Sequence, residues 1–204
     1  ARDRSAVSQS VHTALAFSLI SGVVIMALGL SLTNFSLRAM SLPEEIMPEA
    51  SAYLRIYFLG MIPNLFYNMG AAVLRAIGDS KRPLYFLILS CLSNIVLDLL
   101  LVVYFHLGVA GAALATILSQ TASAVMVLYV LLHTDSAVRL KPRELRINSG
   151  WLKKMIYVGL PAGLQSTMYT ISNIIVQATV NSFGTNTIAA VTAYGKMDVL
   201  FWMV

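Results

Sequence analysis

The stretch Pro83-Leu84-Tyr85-Phe86-Leu87-Ile88-Leu89-Ser90-Cys91-Leu92-Ser93-Asn94-Ile95-Val96-Leu97-Asp98-Leu99-Leu100-Leu101-Val102-Val103-Tyr104 settles the fold class. It runs for 22 residues, and Asp98 is its only charged group. A membrane barrel strand needs about 10 residues with alternating polarity, whereas a helix crossing the hydrocarbon core needs about 20 apolar ones. The run shows no alternation, so it reads as a transmembrane helix. Outward from it, a short turn around His106 leads into an apolar block from Gly108 to Leu132, and the bend Arg75–Pro83 leads back to one from Ala52 to Leu74. Further blocks cover Val11–Thr33, Met155–Phe183 and Ile188 to the end. Six helices are expected, and the class is an all-α, polytopic integral membrane protein.

Composition agrees. The chain has 204 residues, 58% hydrophobic and 11% charged, with a mean hydropathy of +0.77, whereas a soluble domain carries roughly a quarter charged residues. A water-soluble globule is excluded, and the long apolar blocks exclude disorder. The single cysteine, Cys91, permits no intrachain disulfide and reads as a small hydrophobe. Opening on Ala1 and stopping inside the run Phe201-Trp202-Met203-Val204, the sequence reads as a fragment. No cleavable signal peptide is expected, because Ala1–Ser10 is polar and the first apolar block is long enough to span.

Assigning the loops alternately to two sides collects Arg2, Arg4, Arg75, Lys81, Arg82, Arg139, Lys141, Arg143, Arg146, Lys153 and Lys154 on one side, 11 of the 14 bases. Arg38 and Arg55 fall opposite, among Glu44, Glu45 and Glu49. The positive-inside rule makes the first side cytoplasmic, and confinement of the bases to short segments beside apolar blocks argues against nucleic acid as the partner of the +5 net charge. The stretch His133–Lys154 carries six of the eleven inner bases and reads as a linker separating four helices from two.

Polar groups at membrane depth are the functional candidates. An aspartate at a helix centre costs at least about 2.5–3.5 kcal/mol on insertion scales. Asp98 follows Asn94 by four residues, which puts both on one helix face. Asp98 lies eight residues before His106 and Thr116 ten after it, so all three groups reach similar depth. A carboxylate, an amide oxygen and a hydroxyl suit a hard cation such as sodium, and the carboxylate alone can take a proton. The alternative is a structural clamp of interhelical hydrogen bonds.

The fifth block carries Gln165, Tyr169, Asn173, Gln177 and Asn181 at four-residue spacing, one inclined ridge that should line a water-filled cavity or meet a polar helix. Asn64, Tyr67 and Asn68 share a face just after Pro63, where a kink is expected, as at Pro161. Lys196 and Asp198, two apart, project to different sides and each needs a partner elsewhere. His12 and His133 near helix ends and His106 in a turn read as surface groups, with no metal-ligand spacing among them. The methionines read as packing filler. No phosphate loop, nucleophile elbow, HExxH or Cys-x-x-Cys is present, so no enzymatic chemistry is expected.

Several segments together resemble the multidrug and toxic compound extrusion (MATE) transporters. They are Tyr53-Leu54-Arg55-Ile56, the bend from Leu74 to Pro83, Asn94-Ile95-Val96-Leu97-Asp98, the stretch Leu107 to Thr116, Gly159-Leu160-Pro161 and Gly195-Lys196-Met197-Asp198. The resemblance implies a twelve-helix, two-bundle transporter in the shape of an inverted V. Residues 1–133 would hold the third to sixth helices of the first bundle, 134–154 a cytoplasmic linker, and 155–204 the seventh and eighth helices. It implies a multi-pass protein of the cell membrane, a monomer when full length, in contact with lipid and needing no cofactor. Its activity would be antiport, with protons or sodium entering as small organic, often cationic, drugs leave.

By the same resemblance, Asn94, Asp98 and Thr116 fall on the family's first-bundle cation site, whose other aspartate belongs to a helix not present here. Tyr169 stands where some sodium-driven members carry a glutamate eight residues after the motif proline, which favours coupling through Asp98. The substrate cavity would be lined by Asn64, Tyr67, Asn68, Gln165, Tyr169, Asn173, Gln177, Lys196 and Asp198. An alternative in the wider superfamily is a flippase for lipid-linked sugars, which favours a basic cavity. The faces named here are mostly neutral, with Lys196 their one clear base.

Overall fold

The computed structural model describes residues 4–39, 44–182, 191, 194 and 195. Among these residues the regular structure is helical throughout, in the order α1 (Arg4–Ala39), α2 (Met47–Leu59), α3 (Met61–Ala76), α4 (Lys81–Asp98), a π-helical continuation Leu99–Tyr104, α5 (Gly108–His133), a 3-10 turn Pro142–Glu144, and α6 (Ser149–Ser182). The sixth apolar block falls outside the described residues apart from isolated positions. By contacts the chain forms two compact units, Ala1–Leu152 and Lys153–Val204.

α1, α4 with its π continuation, and α5 are each long and apolar enough to cross a membrane, and α2 and α3 reach that standard together as one bent pair. α6 is long enough, but the amides and hydroxyls of its ridge leave it less apolar than those four. α1 extends past both ends of its apolar block. At 36 residues it is about 54 Å long, well beyond a hydrocarbon core of about 30 Å.

The bend between α2 and α3 is 43° and falls at Gly60. Pro63 is its chemical origin: a proline offers no amide to the carbonyl four residues earlier, here that of Leu59, and its ring crowds that carbonyl. Gly60 also serves packing, since a Cβ there would stand 2.7 Å from Cγ1 of Ile117 on α5. The next connection turns on Gly78, at φ +90°. Asp79 then accepts from the Arg82 amide at 3.2 Å and pairs with its guanidinium at 3.3 Å, holding the first turn of α4.

α4 and α5 form an antiparallel hairpin whose α5 side is a ridge of small buried residues, Gly111, Ala115, Ser119 and Ser123. The backbones come close enough for the Ser90 hydroxyl to donate to the Ser119 carbonyl at 2.9 Å and the Ser123 hydroxyl to that of Phe86 at 3.3 Å. Small residues at such a contact are how helices associate in lipid, where apolar burial gives no driving force. Leucines and isoleucines elsewhere on α1 and α4 are largely exposed, as lipid-facing side chains are.

The buried apolar cluster sits at one end of the first unit, where Val11 and Leu15 of α1, Val73 and Leu74 of α3, and Val127 and Leu131 of α5 meet Val138 and Leu140 of the segment between α5 and α6. The linker is fastened there. His12, read from sequence as a surface group, is instead 3% exposed. Its Nε2 accepts from the Lys141 amide at 3.1 Å, so Nδ1 carries the proton and donates to the Ser8 carbonyl at 2.7 Å. The neighbouring Thr13 hydroxyl oxygen accepts from the Asn148 amide at 3.2 Å. The Asn148 side chain in turn accepts from the amides of Gly150 and Trp151, capping α6. The misreading has a plain reason, since the partner of His12 is a backbone amide 129 residues away.

His12→Ala removes the acceptor and leaves the Lys141 amide without one. An orphaned buried amide costs about 1–3 kcal/mol, so the variant should melt measurably lower, with hydrogen exchange accelerated at Lys141. Unchanged exchange there would show that the linker is held without the imidazole.

Candidate cation site and cavity-lining residues

Asn94 and Asp98 lie one turn apart on the last two turns of α4. Asn94 Nδ2 and Asp98 Oδ1 are buried side-chain atoms with no hydrogen-bond partner among the described residues. Buried polar atoms are nearly always paired, and an exception calls for an explanation such as an ion or a catalytic role. Stepping by four from the Ser90/Ser119 bond puts Asn94 level with Ala115 and Asp98 level with Gly111. At that level α5 carries almost no side chain. A Cβ on Gly111 would stand 3.0 Å from the carbonyl oxygen of Leu101, so the π-helical turn packs directly onto the α5 backbone.

The π-helix begins immediately after Asp98. It closes the helix ahead of the turn at His106 and widens the backbone just beyond Asp98. Thr116, also named from sequence, donates its hydroxyl to the Ala112 carbonyl of its own helix at 3.0 Å. Its oxygen lone pairs remain available, but no hydrogen bond joins it to Asn94 or Asp98 among the described residues. The structure thus leaves two orphaned atoms on one helix and a committed hydroxyl on the next.

The other sequence candidates divide between the two units. In α3, the Asn68 amide donates to both the carbonyl and the side-chain oxygen of Asn64 at 2.9 Å, so the two asparagines satisfy each other along one face. Tyr67 turns elsewhere, its hydroxyl donating to the Pro83 carbonyl at 3.1 Å and tying α3 to the first turn of α4. In α6, Gln165, Tyr169, Asn173 and Gln177 are exposed at their expected four-residue spacing. α6 continues through Pro161. The side chain of Asn181, and Lys196 and Asp198 altogether, lie outside the described residues. Two features had no sequence signal. The π-helical segment is a plain apolar string, and the His12 clasp joins distant parts of the chain.

Three helices long and apolar enough to cross a membrane, a bent apolar pair beside them, and an acid with an unpartnered buried oxygen in an antiparallel hairpin sealed by small residues mark a multi-pass α-helical membrane protein. Residues 1–100 match the MatE family. The probable multidrug resistance protein YpnP of Bacillus subtilis (strain 168) is 35% identical over 175 residues, covering 84% of this chain and 38% of that protein. The probable multidrug resistance protein YoeA of the same organism is 32% identical over 208 residues, covering 97% of this chain and 44% of that protein. Among solved structures, a MATE crystal structure in the bent conformation superposes with a TM-score of 0.82 at 26% identity, over 97% of this chain and 49% of that one. The chain belongs to the multidrug and toxic compound extrusion family, and it spans less than half the length of these curated relatives.

Proposed function

We propose that this chain carries the coupling half of a cation-driven antiporter that exports organic, often cationic, compounds, with Asp98 as the coupling group and Asn94 and Thr116 as its oxygen-donating neighbours. The observation that carries the reading is the pair of orphaned buried atoms, Asn94 Nδ2 and Asp98 Oδ1. A proton neutralises the Asp98 carboxylate, and a sodium ion satisfies it. The Asn94 amide nitrogen has no acceptor to hold it, so a half-turn of the amide presents its oxygen to a cation instead. The relatives' names, probable multidrug resistance proteins, support drugs as the exported class.

Coupling requires that the ion and the drug each bind the inward-open and outward-open states with different affinity. For a cationic drug, cancellation of the Asp98 charge by the ion makes the two ligands exclude each other, because one negative group cannot serve both at once. Two neutral polar faces are suited to meet the drug, Asn64 and Asn68 on α3 in the first unit and Gln165, Tyr169, Asn173 and Gln177 on α6. Amides and phenols accept varied amphipathic cations with less selectivity than a charged pocket has. The role is transport and not catalysis.

The test is ethidium efflux from proteoliposomes of the complete transporter, with proton and sodium gradients imposed and collapsed separately. Efflux should stop when one particular gradient is removed and survive removal of the other. Efflux indifferent to the loss of both would overturn the coupling assignment.

A further inference from the structure

Away from the proposed transport path, the cytoplasmic end of α1 borders a second polar feature. The linker is pinned to α1 at two points, the Lys141 amide on His12 and the Asn148 amide on Thr13. The segment between the two pins forms a groove of about 530 Å³ against α1, open to solvent, with Ser8, Gln9 and His12 on one wall and the exposed Arg143 and Arg146 on the other. Its charge balance is one-sided. Glu144 also lines it, but the Lys141 ammonium takes up that carboxylate at 3.0 Å. Arg143 and Arg146 have no carboxylate within ion-pair distance among the described residues. His12 contributes no charge, since its Nε2 is an acceptor.

Two uncompensated guanidiniums beside a hydroxyl and an amide form a donor set for a tetrahedral oxyanion, because the guanidinium fork matches two phosphate oxygens at once. The volume exceeds what a bare ion fills and leaves room for a small polar body attached to it. The wall belongs to the base-rich side of the protein, where basic pockets between membrane helices receive phosphate headgroups. On the adjoining face of α1 lies an apolar cavity of about 640 Å³, with Val7, Val11, Val73 and Trp151 in its lining. One helix thus separates a cationic polar groove from a greasy cavity.

We propose that the groove between α1 and the linker binds a phosphate-bearing anion through Arg143 and Arg146, either the headgroup of a cytoplasmic-leaflet phospholipid or a soluble phosphate ester. Such a ligand bridges the linker to α1 across the His12 and Thr13 pins and strengthens their attachment.

The test uses the complete transporter in detergent, titrated by native mass spectrometry with phosphatidylglycerol, with phosphatidylcholine and with glycerol 3-phosphate. The wild type should retain phosphatidylglycerol over phosphatidylcholine. Arg143→Gln with Arg146→Gln should weaken that retention by about tenfold or more. Lys81→Gln with Lys153→Gln, which removes equal charge outside the groove, should leave it at the wild-type level. Arg143→Lys with Arg146→Lys keeps the charge but loses the fork, and should fall between; it also serves if the glutamine pair lowers the melting temperature. Binding of glycerol 3-phosphate alone, with the same arginine dependence, assigns the site to a soluble ester. Equal loss in the outside-groove control, or equal retention of both lipids with no glycerol 3-phosphate bound, overturns the proposal.

Discussion

Asp98→Asn should reduce gradient-driven efflux to the level of cells lacking the transporter, while the protein inserts normally and melts no lower than the wild type. The two halves of that expectation come from the same physics. A carboxylate within a span is unfavourable, by about 2.5–3.5 kcal/mol at a helix centre on insertion scales, and Asp98 Oδ1 has no donor to offset this among the described residues. Asparagine keeps the shape and removes the charge, so the folded state gains or stays level. Coupling, in contrast, depends on a charge that an ion can cancel, and an amide has none. A structural clamp predicts the opposite pattern. An asparagine at position 98 still makes interhelical hydrogen bonds, so efflux would continue. Ethidium or norfloxacin accumulation, scored beside membrane abundance and melting temperature, separates the two. Normal efflux by the variant would remove Asp98 from the mechanism.

The three long apolar helices and the bent pair of the first unit were legible because each is an apolar block of spanning length bounded by charge or by a turn. What the sequence reveals least well is where regular geometry breaks. Pro63 announces a kink, yet the bend falls at Gly60, because the disturbed carbonyl belongs to Leu59, four residues upstream of the ring. The π segment Leu99–Tyr104 is Leu-Leu-Leu-Val-Val-Tyr, whose side chains carry no local preference for a wider turn. Its only neighbouring mark is Gly111, which lets α5 lie against the Leu101 carbonyl. The candidate site divides in the same way. Asn94 and Asp98 share a face because four-residue spacing within one helix guarantees it, whereas the orientation of Thr116 depends on how a second helix is rotated. In the structure its hydroxyl serves the Ala112 carbonyl. His12 was legible as an imidazole near a helix start but not as a buried acceptor, since nothing local tells of a linker folding back upon it.

Replacing Ala115 by leucine should be the most damaging single change in the hairpin. Ala115 is fully buried, and it stands between Gly111 and Ser119 on the ridge facing α4. Inserting methylenes into a tight contact costs typically about 1–3 kcal/mol through strain and displacement. Relief by moving α4 away would break the Ser90 and Ser123 bonds to the opposite backbone, each worth about 0.6 kcal/mol within a membrane protein. Lipid offers no apolar burial in return, because acyl chains are as apolar as the leucine itself. The combined loss is therefore roughly 2–4 kcal/mol. Since Ala115 is level with Asn94, separation of the helices also admits water to both orphaned atoms, so efflux should fail even in whatever protein remains folded. Two controls isolate the cause. Ala115→Gly preserves the close approach and costs only about 1 kcal/mol of helix propensity, so it should retain most efflux. Leu114→Ala, one residue away and 37% exposed, should change little. A leucine at 115 that melts and exports like the wild type would mean that α4 and α5 do not meet along this ridge, and the level assigned to Asn94 and Asp98 would fall with it.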